Sequence, residues 1–287
     1  MTNYKGVLHC MKKALIDTIE HDGVEHAGYL SFLSLLSLFP FLVFFISLLG
    51  IIGESNTGEN FVRIFLDSIP DHVSFALEPR IAEFISGPPQ GFLTLAILGA
   101  IWTASSAVEG LRTILNRAYR VPTPPAYIWR RLMSIAQFII ITFIAVMTTF
   151  ILVIIPVIMS KIADVTQLEA QFGKTFWHYL RYAVAAMILF FSAAFFYYVI
   201  PNIKQKLSKV FPGAVLTVIL WFATGWLFSA YVNNFNQLNI IYGSLGGFIV
   251  TLIFFYIMAM IFIYGADFNH DLDDMRGDKV LFKEQVK

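Results

Sequence analysis

Long apolar runs recur six times along the chain, each closed by a polar or proline-bearing break. Gly91 to Val108 is the plainest of them, with no charged side chain in the stretch. At about 1.5 Å per residue, a helix of that length crosses most of a bilayer core about 30 Å thick. Glu109 and Arg112 follow, three apart and so on one helix face, and then Asn116, Arg117 and Arg120. The pattern predicts an all-α polytopic membrane protein with six transmembrane helices, spanning about 29–52, 91–112, 132–160, 179–200, 212–232 and 244–267. Residues 1–28 form an N-terminal segment and 268–287 a polar tail.

Breaks and faces refine this outline. In residues 4–20, Val7, Leu8, Met11, Ala14, Leu15, Thr18 and Ile19 recur at three- and four-residue spacing, with Lys5, Lys12, Lys13, Asp17 and Glu20 elsewhere on the wheel. Such a helix either lies on the membrane as an interfacial element or packs against the bundle. Pro40 stands near the middle of the first span, where it removes a backbone donor and predicts a kink or interruption. Ser31, Ser34 and Ser37 mark one face of that span, suited to helix packing or to a substrate path. The acidic stretch 53–90 carries two short amphipathic pieces, around 60–69 and 73–85, and reads as a short helical extracytoplasmic cap. Pro156 falls near the far end of the third span, and residues 161–177 read as a polar connection. Pro201 ends the fourth span, and Pro212-Gly213-Ala214 reads as the start of the fifth.

Composition agrees with the pattern. Hydrophobic residues make up 57% and charged residues 14% of the chain, against about 45–50% and 25% in soluble domains. The 29 phenylalanines would leave a soluble domain with large exposed patches. The single cysteine, Cys10, excludes a disulfide framework and a cysteine-cluster metal site. Residues 1–28 lack the short apolar core of a secretory signal. A net charge of +1 gives no footprint for nucleic acid.

The basic residues set topology instead. Segments 1–28, 113–131, 201–211 and 268–287 hold 14 Lys and Arg, whereas 53–90, 161–181 and 233–242 hold five. That alternation predicts cytoplasmic N- and C-termini. Charged groups within spans are costly, about 2.5–3.5 kcal/mol at the centre, so Glu109, Arg112 and Asp267 mark a site. With Asn116, Arg117 and Asn269 they predict a polar cluster between the second and sixth spans. Such a cluster either binds an anionic headgroup or phosphate through guanidinium forks or is a structural lock. At the opposite interface stand Tyr231, Asn233, Asn234, Asn236 and Tyr242, with Gly243, Gly246 and Gly247 suited to close helix packing. The six histidines lack HExxH or similar spacing, and no phosphate-binding glycine loop or GxSxG elbow occurs. No metal, cofactor or enzymatic activity is expected.

Several short motifs occur in order along the chain. They are Ser37-Leu38-Phe39-Pro40, a small-residue and glutamate turn leading to Asn116, Pro201, Pro212-Gly213-Ala214, Tyr242-Gly243, and Gly265-Ala266-Asp267-Phe268-Asn269. Together they resemble the YihY/virulence factor BrkB family of bacterial inner-membrane proteins, over about residues 25–270. Asp267 departs from the glutamate usual there, keeping the carboxylate on a shorter arm. The resemblance implies a six-span, multi-pass inner-membrane protein, with some members linked to envelope lipid export or serum resistance. The family has carried the label ribonuclease BN, but cytoplasmic loops this short leave a tRNA hydrolase no room for its site. The expected function is transport or flipping of a lipid or amphipathic anion, with membrane lipids as partners. The rival is a non-transporting scaffold that organises envelope proteins.

Overall fold

The structure is a computed structural model that describes residues 4–53, 90–121, 126–144, 168–234, 244–277 and 281–282, with single residues between 59 and 82. Helices α1 (Tyr4–Glu20), α2 (Gly23–Gly53), α3 (Gln90–Ala118), α4 (Tyr127–Ile144), α5 (Leu168–Val199), α6 (Leu207–Asn234) and α7 (Ser244–Met275) follow in order. Among the described residues, three helices, α4, α6 (Leu207–Tyr231) and α7 (Gly246–Met275), are long and apolar enough to cross a membrane. Trp226, Leu227, Ile219 and Phe143 are more than half exposed, which suits a surface whose solvent is lipid. The described residues between 59 and 82 are helical, with Val62 and Ile81 buried. Pro156, Tyr242 and Gly243 lie outside the described residues.

Several boundaries differ from the sequence reading. α2 is one continuous helix through Pro40, so the chain is not interrupted there. α5 starts at Leu168, inside the stretch that reads as a polar connection. α6 starts at Leu207, so Pro212 sits inside a helix rather than at its first position. Proline breaks the ladder from within. Here a buried side chain makes good part of the loss: the Gly213 N–H donates to Asn269 Oδ1 at 2.7 Å, and Asn269 Nδ2 donates to the Val210 carbonyl at 3.2 Å. α7 runs on to Met275, so the first part of the expected tail is helical and mostly buried. Beyond it a two-residue strand, β2 (Leu281–Phe282), pairs antiparallel with β1 (Ile203–Lys204), Ile203 opposite Phe282.

The chain forms two compact units. Residues 37–106 and 133–184 make one, where Phe138 and Ala104 are buried and Thr142 back-bonds to the Phe138 carbonyl at 2.9 Å. Residues 1–36, 107–132 and 185–287 make the other, which holds the predicted site. Among the described residues, a core there joins Leu115 of α3, Tyr119 just after it, Ala193 and Tyr197 of α5, Ala214 of α6, and Phe262 and Ala266 of α7.

Within that core, α6 and α7 touch backbone to backbone. A Cβ on Gly213 would strike the Gly265 carbonyl, and one on Gly265 would strike Thr217 Oγ1 and Tyr197 OH. Small residues allow this approach, as in membrane helix pairs generally. Gly247, expected to serve such packing, faces open space. The close crossing therefore lies at the opposite end of α7 from the glycine cluster. Tyr197 seals it: its hydroxyl is within 2.7 Å of both Thr217 Oγ1 and the Phe262 carbonyl.

α1 separates the two alternatives for the N-terminal helix by face. Cys10, Ala14 and Thr18 are buried, the first two packed with Phe268 and Leu272 of α7. Leu8, Leu15, Ile16 and Ile19 are each more than half exposed. At 100° per residue these four fall on one face, adjacent to the buried one. One side of α1 thus belongs to the bundle, and a second apolar stripe remains uncovered.

Candidate functional site

Charged and polar side chains gather at the end of the second unit where α1, the C-terminal part of α3, the start of α4 and the last turns of α7 meet. α3 contributes Glu109, Arg112 and Asn116, which recur at three- and four-residue spacing along one helix edge, and Arg120 follows just after its end.

The Glu109–Arg112 pair expected at i,i+3 forms, with Oε2 3.6 Å from Nε. Arg112 is 1% exposed, so a ligand outside the bundle does not reach it. Its Nη1 donates to the Ile200 carbonyl at 3.2 Å and to Asn202 Oδ1 at 3.4 Å. Asn116, one turn later, accepts from the Asn202 backbone N–H at 2.8 Å. Arg112 and Asn116 therefore clamp the chain just after α5, where Pro201 prevents the helix from continuing and leaves carbonyls to be satisfied. Glu109 also faces Arg130, Oε1 to Nε 3.4 Å, from the first turn of α4.

Asp267 lies elsewhere in the cluster, and its partners are Arg120 and Thr18. Arg120 Nη1 donates to Asp267 Oδ1 at 3.4 Å, while Thr18 Oγ1 donates to Oδ2 at 2.9 Å. Arg120 Nη2 donates to Asp17 Oδ2 at 3.1 Å and lies 3.1 Å from His21 Nδ1. One guanidinium thereby joins α1, α3 and α7. The expected link between the second and sixth spans exists, but through Arg120 rather than the named cations. Arg117 pairs with Asp22 at a half-exposed position.

Backbone geometry singles out Arg120. Its φ is +56°, in the left-handed region that glycine normally fills after a helix. The Val121 N–H donates to the Asn116 carbonyl at 2.8 Å across it, the bond that closes a Schellman turn. A long side chain held there at a cost of about 1–2 kcal/mol points to a role for the guanidinium.

Asn269 is 1% exposed and bridges the Pro212 break, with Nδ2 also 3.3 Å from Tyr119 OH. Burial drives the Tyr119 phenol well above its ordinary pKa, so it stays protonated. α1 is held further by Lys13, whose ammonium donates to Asp271 Oδ1 at 2.9 Å. That hydrogen bond raises the Lys13 pKa. The Cys10 thiol is raised by burial and then by Asp271.

The six predicted residues thus serve three arrangements: Glu109, Arg112 and Asn116 at the α5 exit, Asp267 in the three-helix network, and Asn269 at the α6 break, with Arg117 at the rim. Sequence reasoning missed Asp17, Thr18, Asp271, Arg130, Tyr197 and Asn202 as members. Spacing along α1 carried a signal for Thr18, which falls among apolar positions. Nothing local marked Asn202. Among the described residues no group of three or more His, Cys, Asp or Glu is placed to hold a metal ion.

The virulence factor BrkB family matches residues 16–285 of the chain. The chain belongs to that family. YfkH of Bacillus subtilis (strain 168), whose name calls it ribonuclease-like, is 32% identical over 182 residues, 62% of this chain and 65% of that protein. A UPF0761 membrane protein of Alteromonas mediterranea is 24% identical over 75% of this chain and 70% of its own length. One of Pseudomonas aeruginosa (strain LESB58) is 32% identical over 30% of this chain and 20% of its own. The chain thus spans just under two thirds of YfkH. No solved structure matches it. The family membership and the apolar helices make this a membrane protein.

Proposed function

We propose that this BrkB-family chain is a six-span bacterial inner-membrane protein that moves a lipid or amphipathic anion across the bilayer from the cytoplasmic leaflet. Both termini are cytoplasmic, the segment 53–90 forms the outer cap, and the exposed stripe of α1 rests in the cytoplasmic interface. The reading involves no bond-making step, cofactor or nucleic acid. What carries it is the Arg120 network. The end of the bundle that holds α1 is closed by ion pairs between separate helices. Alternating access needs contacts with two discrete arrangements, and the part-exposed Arg120–Asp17 pair is of the kind that opens at lower cost than a close-packed core. Of the six cluster residues, Arg117, half exposed, is the one able to meet a headgroup directly. Asp267 belongs to the gate, and Glu109, Arg112, Asn116 and Asn269 support the helix ends around it.

The scaffold reading has one observation in its favour. The crossing at Gly213 and Gly265 and the Tyr197 seal lock α5, α6 and α7 together, which suits a rigid platform. Reconstitution into vesicles containing a fluorescent phospholipid, with a membrane-impermeant quencher added outside, separates the two. Transport predicts faster leaflet exchange than in protein-free vesicles, altered in Arg120→Gln. Exchange equal to protein-free vesicles, with an envelope protein co-purifying at fixed stoichiometry, would move the assignment to the scaffold.

A further inference from the structure

Two acceptors share one hydrogen at the buried end of the Asp267 network. The Asp267 side chain is 3% exposed, and among the described residues Arg120, at 3.4 Å, is the cation that pairs with its Oδ1. Its other oxygen, Oδ2, faces Thr18 Oγ1 at 2.9 Å, and that hydroxyl also faces the Ala14 carbonyl at 2.8 Å. A threonine hydroxyl has one hydrogen and two lone pairs, so it does not donate fully to both. A proton on Asp267 Oδ2 completes the chain: the carboxyl donates to Thr18, and Thr18 donates to the Ala14 carbonyl.

Arg120 and Asp267 are unequal partners. Arg120 is part-exposed and also holds Asp17 at 3.1 Å, so on parting from Asp267 it retains a carboxylate and water. Asp267 retains only the hydroxyl, and a buried carboxylate without its cation takes up a proton rather than stay charged. Asp271 on α7 and Asp17 on α1 add negative charge around it, which favours the same outcome. Lys13 of α1 is committed to Asp271 and Lys209 of α6 to Asp273. Tyr119 and Tyr197 are buried phenols, of a type that is neutral near pH 7. His21 and His270, both near Arg120, are the neighbours of a type that also titrates near neutrality.

We propose that Asp267 is a proton-binding site, ionised while Arg120 pairs with it and protonated at Oδ2 when Arg120 withdraws. Parting Arg120 from α7 then takes up one proton from water, with the new O–H donated to Thr18 and no covalent bond of the protein broken. Such coupling deepens the transport reading by naming the ion linked to the gate, and it rests on that reading only for the link to movement across the bilayer.

Because the closed form holds the carboxylate charged and the open form holds it neutral, opening is favoured as pH falls, by at most about tenfold per pH unit. The readout is hydrogen exchange of residues 117–121, where the capping bond from the Val121 N–H to the Asn116 carbonyl closes across Arg120. Protein in nanodiscs would be measured from about pH 8 to about pH 5, with rates corrected for the pH dependence of free amides. Wild type and Asp267→Glu should both lose protection by at least about tenfold over this range. Asp267→Asn, which keeps a neutral group in place, should be weakly protected at every pH, with no slope. The double variant His21→Gln/His270→Gln should keep the wild-type slope. A flat wild-type profile, a slope that survives in Asp267→Asn, or one that vanishes in the histidine variant overturns the proton site. The expected slopes without leaflet exchange in wild-type vesicles would keep the proton site and reject transport. Leaflet exchange with a flat profile would keep transport and reject the proton site.

Discussion

Arg120 is the residue on which the proposed gate depends, and its backbone and side chain make opposite demands. The φ of +56° favours glycine, whereas the contacts to Asp267 and Asp17 require the guanidinium. Substituting alanine removes the contacts and keeps the strain. Substituting glycine removes the contacts and relieves it. Arg120→Ala should therefore destabilise by about 1.5–3 kcal/mol, the range for hydrogen bonds to charged groups. Arg120→Gly should be milder by about 1 kcal/mol. Adding Asp267→Asn to Arg120→Ala should recover part of the loss, because it removes the buried carboxylate left alone. Thermal unfolding in one detergent checks the order; Arg120→Gly unfolding below Arg120→Ala would contradict the left-handed cap.

Among the elements, the α6–α7 crossing has the least tolerance. Gly213→Ala and Gly265→Ala each place a methyl where backbone or a buried hydroxyl already stands. Overpacking of this kind costs about 1–3 kcal/mol. Gly247→Ala meets open space and should be neutral, or stabilising by up to about 1 kcal/mol through helix propensity. Yield and unfolding temperature of the three variants test the assignment. Equal losses at all three would mean that Gly247 is covered by another chain.

For the molecule as a whole, six spans with both termini inside predict opposite accessibility for two exposed positions. Cys10 gives little background, since it is 2% exposed and burial raises its thiol pKa, while maleimide reacts with the thiolate. In spheroplasts an impermeant maleimide should label Glu78→Cys and should label Lys206→Cys only after permeabilisation. The reverse pattern would invert the topology. Labelling of both from outside would sink the six-span arrangement.

The apolar runs, the charged end of α3 and the family motifs were legible because they depend on neighbours in sequence. Lipid solvation and helix periodicity act over a few turns, so hydropathy alone determined a helical membrane protein. Gly265, Asp267 and Asn269 could be recognised as a motif, but not for what each does. Their roles depend on groups far away along the chain: Thr217 and Tyr197 for Gly265, Arg120 and Thr18 for Asp267, and Gly213 for Asn269. α6 shows the same division. Pro212 reads as a helix start by local rules, yet the helix begins at Leu207 because Asn269, from α7, takes over the freed Gly213 N–H. Which helices exist was thus determined by local hydrophobicity. Which polar groups meet between them was decided only by the fold, because burying each one required a partner from a distant segment.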